Sequence, residues 1–476
     1  MPLRKLYPNQ TNIVLLVLAL FACLSVSAQA APLQNEMREL TFMNGEIQLE
    51  GTLYLPPGTG PFPAVVIIHG AGPDTRSPYI PDAQMLRQAG IAALVYDKRG
   101  AGESTGDWRT ASLDELIADA LAAVHLVQAQ PEVDPRHVGI LGISQGAWLA
   151  PFAAARDDQV AFIIQVTGSG TPLANQEMWD DGNSLKQLGF SDRAIALEMK
   201  ALHMLYSGHD LVRKGILPLG DLWFAYYDPY LDPASAWSEV KIPTLALFAE
   251  RDALVPTQSS LEIVSERLTH PASRVVVFPN RTHALGGASR NNDRVYSTLV
   301  TDWIVGVTHQ TPLPAMPYGD AVKDTGNLRW HGIGTQETAW YNTIYFQLGS
   351  AVFFLLVFLS AILAGLFSRM NAWSRLLLGA TGLVNLVVLA GWGLVLNYLL
   401  NADARSASPV IPMSAILVWL ALLSVVLTMG LTYSVAKECR ERNLSSVARF
   451  FSGLAVFAGI LFIPFMGYWH LLGGQL

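Results

Sequence analysis

The C-terminal part of the chain limits the fold most. Four apolar runs, Ile344 to Phe367, Leu376 to Leu400, Val410 to Val435 and Phe450 to Leu472, contain no Asp, Glu, Lys or Arg. Each reaches the ~20 residues with which a helix crosses the hydrocarbon of a bilayer. A soluble bundle would have to bury four such runs in succession, so the expectation is an all-α transmembrane domain of four helices over residues 343–476.

Basic residues orient these helices. Arg369 and Arg375 lie in the first short loop, and Lys437, Arg440, Arg442 and Arg449 in the third. The second loop has only Arg405 and the C-terminal tail none. The positive-inside rule puts loops one and three in the cytoplasm, so the chain enters its first span from outside. At the other end, Arg4 and Lys5 precede the apolar stretch Ile13 to Val26 and the small-residue site Ala28-Gln29-Ala30. This is the pattern of a secretory signal peptide over residues 1–30, with the cut expected after Ala30. The two signals give one topology. Asn385 and Asn397 read as interhelical hydrogen-bonding groups, and Ala361, Gly365, Gly379, Gly382, Gly391 and Gly393 as sites of close helix packing. Without ionisable residues in mid-span there is no sign of an ion pathway, and anchoring is the expected role.

The 51% hydrophobic content is concentrated in these runs, which leaves residues 31–310 with the composition of a globular domain. A net charge of -7 supplies no basic footprint, so nucleic acid is not an expected partner. Cys23 and Cys439 are the only cysteines, and no HExxH spacing occurs, so neither a disulfide framework nor a metal or other cofactor is expected.

Within residues 31–310, short alternating runs at Glu39 to Met43 and Ile47 to Leu53 are joined through Asn44-Gly45, a hairpin signal. Ala64 to Ile68 is continuous and apolar, as expected of a strand covered on both faces, and leads into His69-Gly70-Ala71-Gly72-Pro73. Ile91 to Tyr96 runs into Asp97-Lys98-Arg99-Gly100-Ala101-Gly102-Glu103-Ser104. Ser112 and Glu115 form a capping box for a helix carrying Leu113, Ile117, Leu121 and Val124, with His125 beside that stripe as a structural residue. The run His137 to Leu141 then meets Gly142-Ile143-Ser144-Gln145-Gly146. A serine between two glycines at a strand-to-helix junction is the nucleophile-elbow pattern. Glycines after the strand at 64–68 can aim backbone N–H groups at a substrate oxygen, though a plain tight turn explains them equally. Alternating strands and helices imply a mainly parallel sheet.

At these intervals the stretches at 69–73, 96–104 and 142–146 resemble the α/β-hydrolase superfamily, and within it the dienelactone-hydrolase and prolyl-oligopeptidase-like esterases, over about residues 36 to 310. The resemblance implies an α/β-hydrolase fold, a mainly parallel sheet flanked by helices, with a helical cap inserted at about residues 171–240. That insertion contains Trp179, Phe190, Tyr206, Trp223, Phe224, Tyr226, Tyr227, Tyr230 and Trp237, which either form the cap's own core or line an acyl or peptide pocket. It also implies roles: Ser144 as nucleophile, Asp252 as acid and His283 as base, in the order Ser, Asp, His of this fold. The backbone of Gln145 and of Gly70, Ala71 or Gly72 would hold the oxyanion. Glu250 is the rival acid. His69 would shape the oxyanion loop, and His137, His203, His209, His270, His309, His331 and His470 read as structural or surface residues. The proline-rich stretch from Thr311 opens a linker over residues 311–342.

The resulting expectation is a serine hydrolase that cleaves small-molecule or lipid carboxylic esters at the outer face of a membrane, taken as a bacterial inner one. Two alternatives stand beside it: an acyltransferase to a lipid or envelope glycan, and a peptidase of the prolyl-oligopeptidase type, which the lack of a propeller-like region before the domain disfavours. A non-catalytic scaffold on a dead hydrolase is a further possibility.

Overall fold

The computed structural model describes residues 37–216, 228–317, 339–399, 410–441 and 443–472. The expected signal peptide, most of the linker, Arg405 and Arg442 of the loops, and Trp223, Phe224, Tyr226 and Tyr227 of the insertion lie outside these residues.

Eight strands form one sheet: β1 Met37–Asn44, β2 Ile47–Tyr54, β3 Phe62–Ile68, β4 Ala92–Tyr96, β5 Val133–Ile143, β6 Ile163–Val166, β7 Thr244–Ala249 and β8 Arg274–Phe278. Their order is β1-β2-β4-β3-β5-β6-β7-β8, with β1–β2 and β2–β4 antiparallel and the others parallel. Asn44 pairs with Ile47, so the turn residues of the hairpin are Gly45 and Glu46, one position later than the sequence suggested. Gly45 sits there at φ +59°, which a glycine adopts without steric cost.

The central strands β3, β4, β6 and β7 are buried on both faces because helices cover both. In chain order the helices of this part are α1 Ile80–Gln88, α2 Leu113–Gln128, α3 Gln145–Arg156, α4 Leu173–Gln187, α5 Asp192–Tyr206, α6 His209–Arg213, α7 Pro233–Glu239, α8 Thr257–Arg267 and α9 Arg294–His309. Successive strand side chains alternate between two cores. Val66 and Ile68 join Ile117 of α2, Trp148 of α3 and Leu261 of α8, whereas Val65 and Ile67 join Leu86 of α1 and Trp303 of α9. The capping box is formed at α2, with Ser112 Oγ accepting from Glu115 N and Glu115 Oε2 accepting from Ser112 N. His125 is half-exposed, its Nε2 2.6 Å from Asp157 Oδ2.

The segment between β6 and β7 divides in two. Its last helix, α7, packs into the main domain, with Ala236, Trp237 and Val240 in the core that holds Trp148. Its first two, α4 and α5, pack elsewhere. Met178, Leu185, Phe190, Leu202 and Tyr206 share one apolar cluster with the C-terminal helices. Among the described residues, Phe190 and Tyr206 therefore pack against the C-terminal helices and Trp237 against the main domain, not in a self-contained cap core.

The C-terminal helices are α10 Ile344–Phe367, α11 Ala372–Leu399, α12 Val410–Arg440 and α13 Ser446–Tyr468, each long and apolar enough to cross a membrane. Their outer faces expose Leu356, Leu363, Leu394, Trp419 and Val426, as suits helices solvated by lipid. Small residues bring the backbones together. A Cβ on Gly382 would lie 2.6 Å from Phe358 O, and one on Gly365 2.9 Å from Arg375 O. Asn385 is buried and accepts a hydrogen bond from Ser424 Oγ of α12.

Candidate active site

The turn between β5 and α3 is built as its sequence requires. Ser144 has φ +55° and ψ −115°, a strained conformation for a residue with a side chain. The flanking glycines permit it. A Cβ on Gly142 would lie 2.2 Å from Gly146 O, and one on Gly146 2.2 Å from Ile68 O at the end of β3. Ser144 is thereby held at the N-terminus of α3, at the edge where the parallel strands end.

Two other strand ends bring partners to it. Asp252 follows β7, is 1% exposed, and accepts backbone hydrogen bonds through Oδ1 from Leu254 N at 2.9 Å and Val255 N at 3.0 Å. His283 follows β8 at the start of a short 3-10 turn in which Ala284, Leu285, Gly286 and Gly287 all have positive φ. Its Nδ1 lies 2.9 Å from Asp252 Oδ2 and 3.0 Å from Oδ1, and its Nε2 2.8 Å from Ser144 Oγ. A carboxylate can only accept, so Nδ1 carries the hydrogen and Nε2 is left to accept from the serine hydroxyl. Glu250 is engaged elsewhere, its Oε2 accepting from Asn280 N at 2.6 Å.

The loop after β3 runs beside the serine. The position a Cβ on Gly70 would take is 3.7 Å from Ser144 Cβ. Among the expected oxyanion donors Gly70 drops out, because its N–H donates to the Tyr79 phenol oxygen at 2.8 Å. Tyr79 in turn donates to Asp74 Oδ2 at 2.5 Å. Ala71 and Gly72 remain as the candidates from this loop, opposite Gln145 at the first position of α3.

Sequence reasoning missed Lys98. It is 2% exposed, and its Nζ donates to Gly70 O and, at 2.8 Å, to Gln145 Oε1. One ammonium thus ties the loop to the residue that follows Ser144. Burial pushes its pKa down to about 7, with the Asp74 carboxylate opposing. The signal was its position, a lysine directly beyond the buried strand β4, where a long cation can reach the sheet edge only by lying inward. Its neighbours brace the same corner. Asp97 accepts from Arg76 N and Glu103 N, and Arg99 pairs with Asp119 through Nε at 2.7 Å and Nη2 at 2.8 Å. His69 is buried against the Tyr96 ring, and burial with the nearby Lys98 charge holds its pKa well below the ordinary range. Among the described residues no group of three or more His, Cys, Asp or Glu could hold a metal ion.

A serine after β5, an aspartate after β7 and a histidine after β8 follow the chain order of one fold. A family profile for X-Pro dipeptidyl-peptidase (S15 family) matches residues 44–246. The domain has the α/β-hydrolase fold.

This hydrolase domain is similar to esterase EstD of Thermotoga maritima, at 31% identity over 267 residues, 53% of this chain and 61% of that protein. It is also similar to the thiohydrolase aneE of Aspergillus aculeatus, at 35% identity over 137 residues, 28% of this chain and 42% of that protein. The chain thus spans less than two thirds of either relative. A solved 2,6-dihydroxy-pseudo-oxynicotine hydrolase aligns with 60% of this chain and 72% of its own at 19% identity and a TM-score of 0.44. Above the site, α4 touches the acid-bearing loop of the hydrolase domain, Asn183 Nδ2 donating to Ala253 O at 3.0 Å.

Proposed function

We propose that the protein is a membrane-anchored serine hydrolase that cleaves carboxylic esters through an acyl-enzyme on Ser144. The observation that carries this reading is the unbroken line of hydrogen bonds from Asp252 through His283 to Ser144 Oγ. Asp252 fixes the imidazole tautomer and stabilises its cation. As Ser144 Oγ bonds to the ester carbonyl carbon, His283 Nε2 takes the hydroxyl proton. The oxyanion forms between the N–H of Gln145 and one from Ala71 or Gly72, a contribution of roughly 3 to 4 kcal/mol per donor. The imidazolium then protonates the leaving alkoxide and the alcohol departs. Water, deprotonated by the same Nε2, attacks the acyl carbon, releasing the acid and restoring Ser144.

The likeness to an esterase supports this chemistry, whereas the S15 profile favours a second reading, cleavage of a peptide bond by the same steps. An acyl-enzyme could equally pass its acyl group to an acceptor alcohol. The loop charges and the leader pattern support placing the hydrolase domain outside the cytoplasm, in a bacterial cell the periplasm. Hydrolysis of p-nitrophenyl esters by the purified full-length protein tests the reading, with cleavage by wild type and none by Ser144→Ala expected. Unchanged cleavage by Ser144→Ala would overturn it.

A further inference from the structure

The helices over the site do not form a free lid. Ile195, Leu202 and Tyr206 of α5 pack in one cluster with Trp392 and Leu396 of α11 and Trp469 beyond α13. Polar ties fasten the same helices to the membrane helices' ends. Lys200 Nζ donates to Tyr468 O at 2.9 Å, and Arg193 Nη2 to His470 O at 2.8 Å. Ile344 N at the start of α10 donates to Ser207 Oγ at 2.9 Å, and Tyr345 donates to Asp210 Oδ1 at 2.7 Å.

All of these contacts lie at one end of the membrane bundle, where α10 begins, α11 ends and α13 ends. That end carries the exposed Trp340, Tyr341 and Tyr345, the aromatic composition of a bilayer–water interface, while Trp392 and Trp469 lie buried in the shared core. The opposite end of the bundle, around Leu377, Val435 and Leu444, has its own core and no part in the contact. On its other side the same layer reaches the site through the bond from Asn183 to Ala253 O, next to Asp252. One layer of helices, packed at the usual spacing of ~8–10 Å, separates the acid-bearing loop from the level of the lipid headgroups. Leu254, two residues beyond the acid, is exposed.

We propose that the substrate is an amphiphilic ester resident in the bilayer, its acyl chains in the leaflet and its ester group at headgroup level, reaching Ser144 from the membrane surface beside α4 and α5. This rests on the hydrolase reading above. Anchoring by a linker alone would need no shared core. A shared core at the aromatic end fixes the site at the depth where such esters lie and confines its search to two dimensions.

The test uses the full-length protein in vesicles of ether-linked phosphatidylcholine doped with a fluorogenic diacylglycerol ester, beside p-nitrophenyl acetate in the surrounding water. The expected result is Ser144-dependent cleavage of the vesicle-borne ester at a rate that follows its surface fraction when total concentration is held constant. Lys200→Met with Arg193→Met should lower that rate by about tenfold while leaving p-nitrophenyl acetate cleavage within about twofold of wild type. Ser144-dependent cleavage of the soluble ester with the vesicle-borne one untouched would overturn the inference and leave the hydrolase reading standing. An equal fall for both substrates in the double variant would overturn it too, since the ties would then only hold the fold. Cleavage of neither substrate would overturn both readings.

Discussion

Lys98→Met separates the construction of the site from the stability of the fold. The substitution keeps an unbranched chain of similar length and removes the ammonium that links Gly70 O to Gln145 Oε1. Burial lowers the lysine from 10.5 to about 7, and at about 1.4 kcal/mol per unit this is about 5 kcal/mol of burial cost for the charged form. Methionine does not carry that cost. Two oxygens lose a charged donor worth roughly 1.5–3 kcal/mol each, so the opposing changes nearly cancel near pH 7. Activity has no such compensation. The loop and Gln145 bear the proposed oxyanion donors, each worth roughly 3 to 4 kcal/mol, and loss of part of that alignment lowers kcat by roughly 10- to 100-fold. The expected result with p-nitrophenyl acetate is therefore a large fall in kcat with little change in Tm at pH 7. The pH dependence has a definite sign. The folded pKa lies below the unfolded one, so between about pH 7 and 10.5 the unfolded chain holds the extra proton and this group's contribution to stability rises with pH. Thermal unfolding in detergent at pH 7 and pH 9 should show wild type gaining about 2 kcal/mol relative to Lys98→Met. A kcat within twofold of wild type, or a fall in kcat matched by a collapse of Tm, would refute the positioning role.

Three further outcomes are expected. Asp252→Asn, which keeps the shape but offers an amide to Nδ1, should lower kcat by about 10⁴ in steady-state ester hydrolysis with KM little changed. Arg290→Met strands Asp82, which is fully buried and held by Arg290 Nε at 3.0 Å and Nη2 at 2.6 Å, and should cost roughly 3–5 kcal/mol in denaturant unfolding, part of it recovered by adding Asp82→Asn. Protease added outside intact spheroplasts should digest the chain before residue 340 and spare the membrane helices, and full protection would reverse the topology.

The parts of the structure legible in the sequence are those where one residue type has one physical reason. The α10 boundaries coincide with the apolar run Ile344 to Phe367, because a span ends where its apolar residues end. The glycines at 142 and 146 mark the elbow because no side chain fits at either. Features set by a distant partner were not legible. Helix α12 continues past Val435 to Arg440 because Glu438, buried inside its last turn, accepts a hydrogen bond from Asn371 Nδ2. The N–H of Gly70 belongs to Tyr79, nine residues on, which no spacing rule announces. Nor does an apolar stripe name its partner. Ile195 and Leu202 on α5 would read alike facing a cap, a pocket or, as here, the membrane helices.

The most direct measurement is mass analysis of the protein quenched with acid during turnover of a short-chain ester, comparing wild type, Asp252→Asn and Ser144→Ala. The expected result is one acyl group on the peptide carrying Ser144, in wild type and in the slower Asp252→Asn, and none in Ser144→Ala. An acyl group on another residue, or continued turnover by Ser144→Ala, would contradict the assignment of Ser144 as nucleophile.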